Sequence, residues 1–226
     1  ILAGGKGTRL SDETPKQYIE VVGKPIISYC LDTFVTHSII DAIQIVAEES
    51  WHDYIYSYMS EEGYKDKWKG FSKPGVNRQL SILNALKDIR EYAVEQDLVM
   101  IHDAARPLLS GNMIEQIFSE VKDHDGVLPV LPMKDTVYLS QDAKRITKLL
   151  DRRQVFAGQA PELFRLGRYY DANIALLPDK ILQINGSTEP AIIAGLDIVM
   201  VAGDEENFKI TTQEDLYRFR QHIRGE

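Results

Sequence analysis

The sequence is poor in cysteine, in positive charge and in long apolar runs, and each shortage excludes a class of protein. Its single cysteine, Cys30, excludes an intrachain disulfide and a cysteine-based zinc site, and is typical of a reducing compartment. With 26 Lys+Arg against 34 Asp+Glu, the formal charge of −8 argues against broad binding to nucleic acid or anionic membranes. No stretch approaches the roughly 18 consecutive apolar residues of a membrane span. We therefore expect a cytoplasmic protein whose anionic ligands are held in a local positive pocket.

The composition is that of a globular protein. The chain has 226 residues, of which 44% are hydrophobic and 27% charged, so it is neither a disordered tail nor a collagen-like polymer. This length fits one compact domain, and we interpret residues 1–226 as a single domain. The opening Ile1-Leu2-Ala3 indicates the end of a buried strand, so we expect a few residues to precede it.

Short apolar runs alternate with amphipathic stripes along the chain. The runs predict buried strands at Ala42–Ala47, Leu98–Ile101, Gly126–Leu131 and Leu196–Ala202. The stripes predict helices over Leu80–Ile89, Met113–Val121 and Leu216–Ile223. This alternation favours a doubly wound, mostly parallel α/β sheet, in which ligands bind at the carboxyl ends of the strands. The aromatic, mixed-charge segment Trp51–Ser72 is interpreted as surface helix and loop.

A β-hairpin interrupts the alternation of strands and helices. Thr136–Leu139 alternates as a strand, residues 140–144 are turn formers, and Ile146–Leu150 is apolar again. A two-stranded ribbon is barely stable alone, so we expect this one to pack on another surface, for which a second subunit is a candidate.

The first chemical signal is a glycine-rich segment with cations around it. It is Leu2-Ala3-Gly4-Gly5-Lys6-Gly7-Thr8-Arg9-Leu10, followed by Pro15-Lys16-Gln17-Tyr18. Three glycines after an apolar strand let the backbone approach an anion closely. The spacing matches neither a Walker A loop nor the dinucleotide fingerprint. Lys6, Arg9 and Lys16 favour a triphosphate ligand, and the alternative is an ordinary turn with solvated cations.

The second signal, His102-Asp103-Ala104-Ala105-Arg106-Pro107, follows the strand Leu98–Ile101. An aspartate just beyond a buried strand is suited to Mg²⁺, which prefers one or two carboxylates plus substrate phosphates, so Asp103 is the metal candidate. The alternative is that Asp103 caps the next turn and pairs with Arg106. His102 has no partner at ligand spacing and is interpreted as structural.

Other polar segments are weaker signals. Gly75-Val76-Asn77-Arg78-Gln79-Leu80-Ser81 opens a predicted helix, where backbone donors with Arg78 and Ser81 could hold a base or phosphate. Capping by Asn77 is the alternative. The remaining segments indicate, by themselves, solvated surface: Lys134-Asp135-Thr136, Asp151-Arg152-Arg153, Ser187-Thr188-Glu189 and Asn207-Phe208-Lys209-Ile210-Thr211.

Taken in order, seven motifs resemble those of the CTP-dependent cytidylyltransferases of polyol phosphates, a family that includes methylerythritol 4-phosphate and ribitol 5-phosphate enzymes. The motifs are Leu2-Ala3-Gly4-Gly5-x-Gly7-Thr8-Arg9, Pro15-Lys16-Gln17-Tyr18, Gly75-x-x-Arg78-x-x-Ser81, His102-Asp103-Ala104-Ala105-Arg106-Pro107, Lys134-Asp135-Thr136, Asp151-Arg152 and Lys209-Ile210-Thr211. The resemblance spans nearly the whole chain. It implies a Rossmann-like fold of the nucleotide-diphospho-sugar transferase type, with residues 136–153 as a protruding β-hairpin arm that forms a homodimer. It also implies transfer of CMP from CTP to a polyol phosphate, with Mg²⁺ as cofactor.

The resemblance implies roles for individual residues as well. Arg9 and Lys16 would stabilise the transition state and the leaving pyrophosphate. Lys209 would hold the substrate phosphate together with Arg152, which the partner subunit would supply. Thr136 would lie beside them, and Arg106 is a further substrate-binding candidate. The implied CTP-binding residues are Leu2, Ala3, Gly4, Gly5, Gly7, Thr8, Gly75, Arg78, Ser81 and Asp103. Asp103 would also serve Mg²⁺, and no general base is needed.

Two departures from the family pattern concern the substrate. Gln159-Ala160-Pro161-Glu162 stands where the family typically has Gln-Thr-Pro-Gln, and Ser187-Thr188-Glu189-Pro190 replaces the Thr-Asp-Glu-Ala of methylerythritol enzymes. The opening residues, Gly158-Gln159 and Lys209-Ile210-Thr211-Thr212 resemble the ribitol phosphate branch more closely, so ribitol 5-phosphate is the predicted substrate and methylerythritol 4-phosphate the alternative. Other hypotheses are a sugar-1-phosphate nucleotidyltransferase that uses UTP or GTP, and a non-catalytic nucleotide-binding protein.

Overall fold

A computed structural model describes residues 1–5, 14–60 and 64–225. The described helices are α1 Ile26–Thr36, α2 His52–Met59, α3 Arg78–Ile89, α4 Gly111–Glu120, α5 Leu166–Ile174, α6 Glu189–Ile193 and α7 Gln213–Arg224. The described strands are β1 Glu20–Val21, β2 Lys24–Pro25, β3 Ile43–Val46, β4 Trp68–Ser72, β5 Leu98–Ile101, β6 Gly126–Pro132, β7 Val137–Leu139, β8 Lys148–Leu150, β9 Phe156–Gly158, β10 Glu162–Arg165 and β11 Ile198–Ala202. None of these helices is long and apolar enough to cross a membrane.

The central sheet is mixed. Its strand order is β11-β6-β10-β5, and β9 pairs with β6. Strand β11 runs parallel to β6, whereas β10 runs antiparallel to both β6 and β5. Strands β3 and β4 form a separate parallel pair, which Leu2 links to the sheet through single parallel bridges to Val46 and Asp103. The expected α/β class is confirmed, but the sheet is less parallel than expected because β10, which the sequence did not predict, enters between β5 and β6.

Helices cover both faces of this sheet. Neighbouring residues of a strand point to opposite faces. In β10, Leu163 belongs to a buried cluster with α1 and α4, whereas Phe164 belongs to a second cluster with α3 and α5. Burial of apolar side chains on both faces supplies the main favourable term in folding. The ends of the strands are the part of the sheet that a ligand can reach.

The predicted elements are present, with small shifts at their ends. The four predicted strands correspond to β3, β5, β6 and β11, and the three predicted helices to α3, α4 and α7. The segment Trp51–Ser72 was predicted incompletely, because it contains strand β4 as well as helix α2. The sequence of β4 includes a lysine and a glycine, which weaken the local strand signal, and its pairing with β3 determines its conformation.

The predicted hairpin is confirmed as β7 and β8, which pair antiparallel. The carboxylate of Asp142 shapes the turn, since its Oδ1 accepts hydrogen bonds from the backbone N–H groups of Lys144 and Arg145, both at 2.9 Å. Large apolar side chains on this arm are exposed, among them Ile146 at 66% and Leu149 at 62%. Contact of the arm with a second subunit stays a prediction.

Candidate active site

A cavity of about 830 Å³ lies at one edge of the sheet, where strands end. Leu2 bridges to Val46 at the end of β3 and to Asp103 after β5, so the start of the chain and two strand ends meet there. Distant parts of the sequence line this cavity: Gly4, Gly5, Lys16, Gln17, Gly75, Arg78, Ser81, Asp103 and Lys209 are among its residues. Most of the predicted CTP-binding residues that the structure describes are therefore brought together.

The glycine-rich segment lines the cavity at Gly4 and Gly5, which present only backbone atoms because glycine has no side chain. A Cβ added to Gly4 would lie 2.7 Å from Cγ of Pro74, so a larger residue would displace that ring. Of the other residues predicted in this segment, Lys6, Gly7, Thr8 and Arg9 lie outside the described residues.

Asp103 is the centre of the charged group in the cavity. Its Oδ1 accepts hydrogen bonds from Nη2 and Nε of Arg78 at 3.0 and 3.2 Å, and its Oδ2 accepts one from Nζ of Lys209 at 2.9 Å. Nε of Arg106 lies 3.8 Å from Oδ2. Burial alone would raise the pKa of Asp103, but Arg78 and Lys209 outweigh it and hold the pKa well below its usual range. In the described cavity lining, four cations outnumber two carboxylates, so the net charge is positive, which suits a phosphate ligand. The cations are Lys16, Lys73, Arg78 and Lys209, and the carboxylates are Glu48 and Asp103.

The start of α3 confirms the capping interpretation of Asn77. Its Oδ1 accepts a hydrogen bond from the N–H of Leu80 at 2.8 Å. The N–H of Gly75 donates to Oγ of Ser81 at 2.9 Å, so the turn itself uses this predicted donor. Arg78 is held from its other side by Oγ of Ser187, which accepts from Nη1 at 2.6 Å. The main contribution of this helix start to the cavity is thus a fixed guanidinium group.

Four predicted site residues among the described ones do not line the cavity, namely Ala3, Arg106, Thr136 and Arg152. Arg106 lies behind it, with Nη1 donating to the carbonyl of Asn207 at 2.7 Å. Thr136 and Arg152 are exposed on the arm, where Nη1 of Arg152 donates to the carbonyl of Lys134 at 2.5 Å. Within one chain, therefore, the arm does not supply its arginine to the cavity.

Two features of the site were missed in the sequence. Gln17, inside the Pro15-Lys16-Gln17-Tyr18 motif, was given no role, although it lines the cavity and is buried. Glu162, noted only as a departure from the family pattern, is buried beside Ile101 because β10 pairs with β5. Burial raises the pKa of Glu162, with Ser187 and Arg78 acting in the opposite direction. No local signal places Glu162 close enough to Arg78 of the cavity to interact with its charge, since that position depends on the unpredicted strand.

The residues around Asp103 do not fit a metal ion held by the protein. Both oxygens of Asp103 already accept hydrogen bonds from cations, and a divalent ion there would be repelled by the same side chains. Within residues 1–5, 14–60 and 64–225, no three His, Cys, Asp or Glu side chains are grouped as a metal site. In this arrangement Asp103 orders Arg78 and Lys209.

The chain combines a doubly wound α/β sheet with glycine backbone and cations at the ends of its strands. These features are those of the α/β proteins that bind nucleotide phosphates. The chain belongs to the IspD family, described as 2-C-methyl-D-erythritol 4-phosphate cytidylyltransferase, whose profile matches residues 1–224. It is therefore a nucleotidyltransferase of the cytidylyltransferase type, with CTP as the nucleotide substrate of the family, as the sequence motifs predicted.

Relatives carry two different substrate names. A ribitol-5-phosphate cytidylyltransferase of Lacticaseibacillus paracasei is 30% identical over 99% of this chain and 96% of its own length. A 2-C-methyl-D-erythritol 4-phosphate cytidylyltransferase of Clostridium acetobutylicum is 33% identical over 96% of this chain and 93% of its own. The solved structure of 4-diphosphocytidyl-2C-methyl-D-erythritol synthase from Anaerococcus prevotii superimposes with a TM-score of 0.84 at 25% identity, over 99% of this chain and 93% of that one. The predicted fold is confirmed by this similarity.

Proposed function

We propose that this cytidylyltransferase transfers CMP from CTP to ribitol 5-phosphate, giving CDP-ribitol and pyrophosphate. The observation that carries the proposal is the Asp103, Arg78 and Lys209 cluster, because it places positive charge opposite glycine backbone in one cavity. The choice of ribitol is supported by relatives of that name from Lacticaseibacillus paracasei and Streptococcus agalactiae, at 30% and 32% identity.

The reaction depends on positioning and on charge neutralisation. A phosphate oxygen of the polyol phosphate attacks the α-phosphorus of CTP in line. A new P–O bond forms, the bond from the α-phosphorus to its bridging oxygen breaks, and pyrophosphate leaves with the electron pair. The attacking phosphate is already ionised at neutral pH, so no general base is required. Cations fixed around the site stabilise the charge that develops.

In this proposal, one set of cations contacts the leaving pyrophosphate and another contacts the attacking phosphate of the polyol. Lys16, with Arg9, neutralises the leaving pyrophosphate. Lys209 holds the attacking phosphate, with Arg152 of the partner subunit, Thr136 and Arg106. The CTP-binding residues are Leu2, Ala3, Gly4, Gly5, Gly7, Thr8, Gly75, Arg78 and Ser81. The arm of residues 136–153 would cross a homodimer to complete each site.

The Mg²⁺ that the family resemblance implies would enter with CTP. Magnesium is bound in proteins through few carboxylates together with substrate phosphates. Among the described residues, the carboxylates in the cavity lining are Glu48 and Asp103, and Asp103 is already paired with cations. The triphosphate would therefore supply most of the oxygen ligands, and the ion would offset its charge.

Release of pyrophosphate tests this function. The purified protein is assayed with CTP and MgCl₂, with ribitol 5-phosphate and methylerythritol 4-phosphate offered in parallel. We expect turnover with ribitol 5-phosphate, and a loss of about 10²–10³-fold in kcat for Lys16→Ala, the scale of one transition-state donor. Lys87→Ala, which changes an exposed lysine of α3, is the matched control.

The other outcomes identify the rival functions. Turnover with methylerythritol 4-phosphate alone would favour the second candidate, which the 33% identical Clostridium relative supports. Preference for UTP or GTP with sugar 1-phosphates would favour a sugar nucleotidyltransferase. Binding of CTP without release of pyrophosphate across a panel of polyol phosphates would favour a non-catalytic protein.

A further inference from the structure

Gln17 holds the glycine-rich segment with both protons of its side-chain amide. Nε2 donates to the carbonyl of Ala3 at 2.6 Å and to the carbonyl of Gly5 at 2.8 Å. The two carbonyls flank Gly4, whose α-carbon has no room for a Cβ beside Pro74. The backbone at the cavity is therefore held from one side by an amide and from the other by a proline ring.

Tyr18 fastens the same backbone from the next position. Its hydroxyl donates to the carbonyl of Ala3 at 3.1 Å, and its ring stacks on Trp51 with centroids 4.1 Å apart. Gln17 and Tyr18 belong to the 3₁₀ helix Lys16–Tyr18, and Lys16 lines the cavity. Three hydrogen bonds thus join the glycine backbone to the short helix that carries a candidate catalytic lysine.

We propose that Gln17 is a positioning residue for CTP, because its amide sets the glycine backbone and the Lys16 helix at a defined separation. This inference rests on the CTP site of the proposed function. The phosphates of one nucleotide would contact both elements, so a shift of one relative to the other would disturb binding and reaction together. A misplacement of about 1 Å can reduce a rate by about 10²-fold.

The main test replaces Gln17 by a residue of similar length without a donor. For Gln17→Met we expect the Kd and KM for CTP to rise by about 10–100-fold, while the KM for the polyol phosphate changes less than about twofold. A merely structural role would reduce the amount of active protein and leave both KM values unchanged. Binding is measured by calorimetric titration with CTP, and KM by pyrophosphate release.

The matched control is a second buried glutamine, outside the cavity lining. Gln44 is 7% exposed and donates to Oγ of Ser72 at 2.9 Å. Gln44→Met should lower the thermal unfolding midpoint by a few degrees, since it also removes a buried hydrogen bond. Its KM for CTP should stay within about twofold of the parent, because the hydrogen-bond partners of the replaced side chain are Ser72 and Tyr92, which do not line the cavity.

A milder variant keeps the test decisive if Gln17→Met does not fold. Tyr18→Phe removes one of the three hydrogen bonds and retains the ring that stacks on Trp51, so we expect the KM for CTP to rise by about 3–10-fold. If the parent protein itself does not bind CTP, the proposed site is wrong. If the parent binds CTP and the folded variants bind it equally tightly, the role of Gln17 is overturned while the site stands.

Discussion

Nζ of Lys209 lies 2.9 Å from Oδ2 of Asp103, although 106 positions separate the two residues in the chain. The other oxygen of Asp103 binds Arg78, so one carboxylate orients two cations at the cavity. A lysine carries a point charge on a flexible stem, and an ion pair with a buried carboxylate restricts where that charge can lie. Each of these segments, taken alone, looks like solvated surface, and the pairing joins them into one charged cluster at the cavity.

Asp103→Asn should reduce activity although it keeps the shape of the side chain. Loss of the negative charge releases Arg78 and Lys209 from their positions, so we expect kcat/KM to fall by about 10²-fold. Lys209→Ala, which removes a cation, should have an effect of similar size. Pyrophosphate release is measured on protein shown to be folded by circular dichroism, with Lys87→Ala as the control. An Asp103→Asn enzyme within about threefold of the parent would contradict the positioning role.

Glu162→Gln should stabilise the protein at alkaline pH. Burial raises the pKa of Glu162 above its usual 4.5, and its Oε2 has no hydrogen-bond partner among the described residues. Below the usual pKa of 4.5 the carboxyl group is protonated in both the folded and the unfolded chain and costs no stability. As the pH rises above this value the unfolded chain ionises first, so stability falls until the raised pKa of the folded state has been passed. We expect the unfolding midpoint to rise by about 2–4 °C at pH 8, and less at pH 5. An equal gain at both pH values would show that the carboxylate charge is not responsible.

His102 should make the protein less stable as the solution becomes acidic. Burial lowers its pKa from 6.5 to about 4, and its Nε2 lies 3.0 Å from the carbonyl of Arg106, an acceptor that requires the proton on that nitrogen. Below pH 6.5 the unfolded chain therefore binds a proton that the folded chain does not, and stability falls until about pH 4. The loss reaches up to about 3 kcal/mol. Urea unfolding at pH 7.5 and pH 5 should show this slope in the parent and a smaller slope in His102→Gln.

Mixing two inactive variants tests whether the arm completes the site of a partner. Arg152 is exposed on the arm and does not line the cavity of its own chain. If the arm crosses a two-fold dimer, a heterodimer of Lys16→Ala and Arg152→Ala contains one site with both residues intact. An equal mixture should then recover about a quarter of the parental activity, because half of the dimers are mixed and each has one working site. Absence of recovery, with subunit exchange verified by mass spectrometry, would place Arg152 outside a shared site.

Elements with a strong local pattern could be predicted from the sequence, and elements that depend on their neighbours could not. Helix α3 follows from an apolar stripe and an Asn77 cap, and β5 from four apolar residues in a row. Strand β10 is only four residues long and follows a proline, and its conformation comes from pairing with β5 on one side and β6 on the other. The burial of Glu162 was not predicted for the same reason, since it follows from the pairing of β10 with β5.

Local sequence was sufficient for the α/β alternation, the hairpin, the family and the chemical types of the site residues, because periodicity and motifs are carried by residues close together in the chain. The partners of those residues depended on folding in three dimensions. Asp103 holds Lys209 across 106 positions, and Gln17 reaches back to Ala3 across 14. Such contacts form only when strands from different parts of the chain end at the same edge of the sheet, and no local pattern encodes their distances.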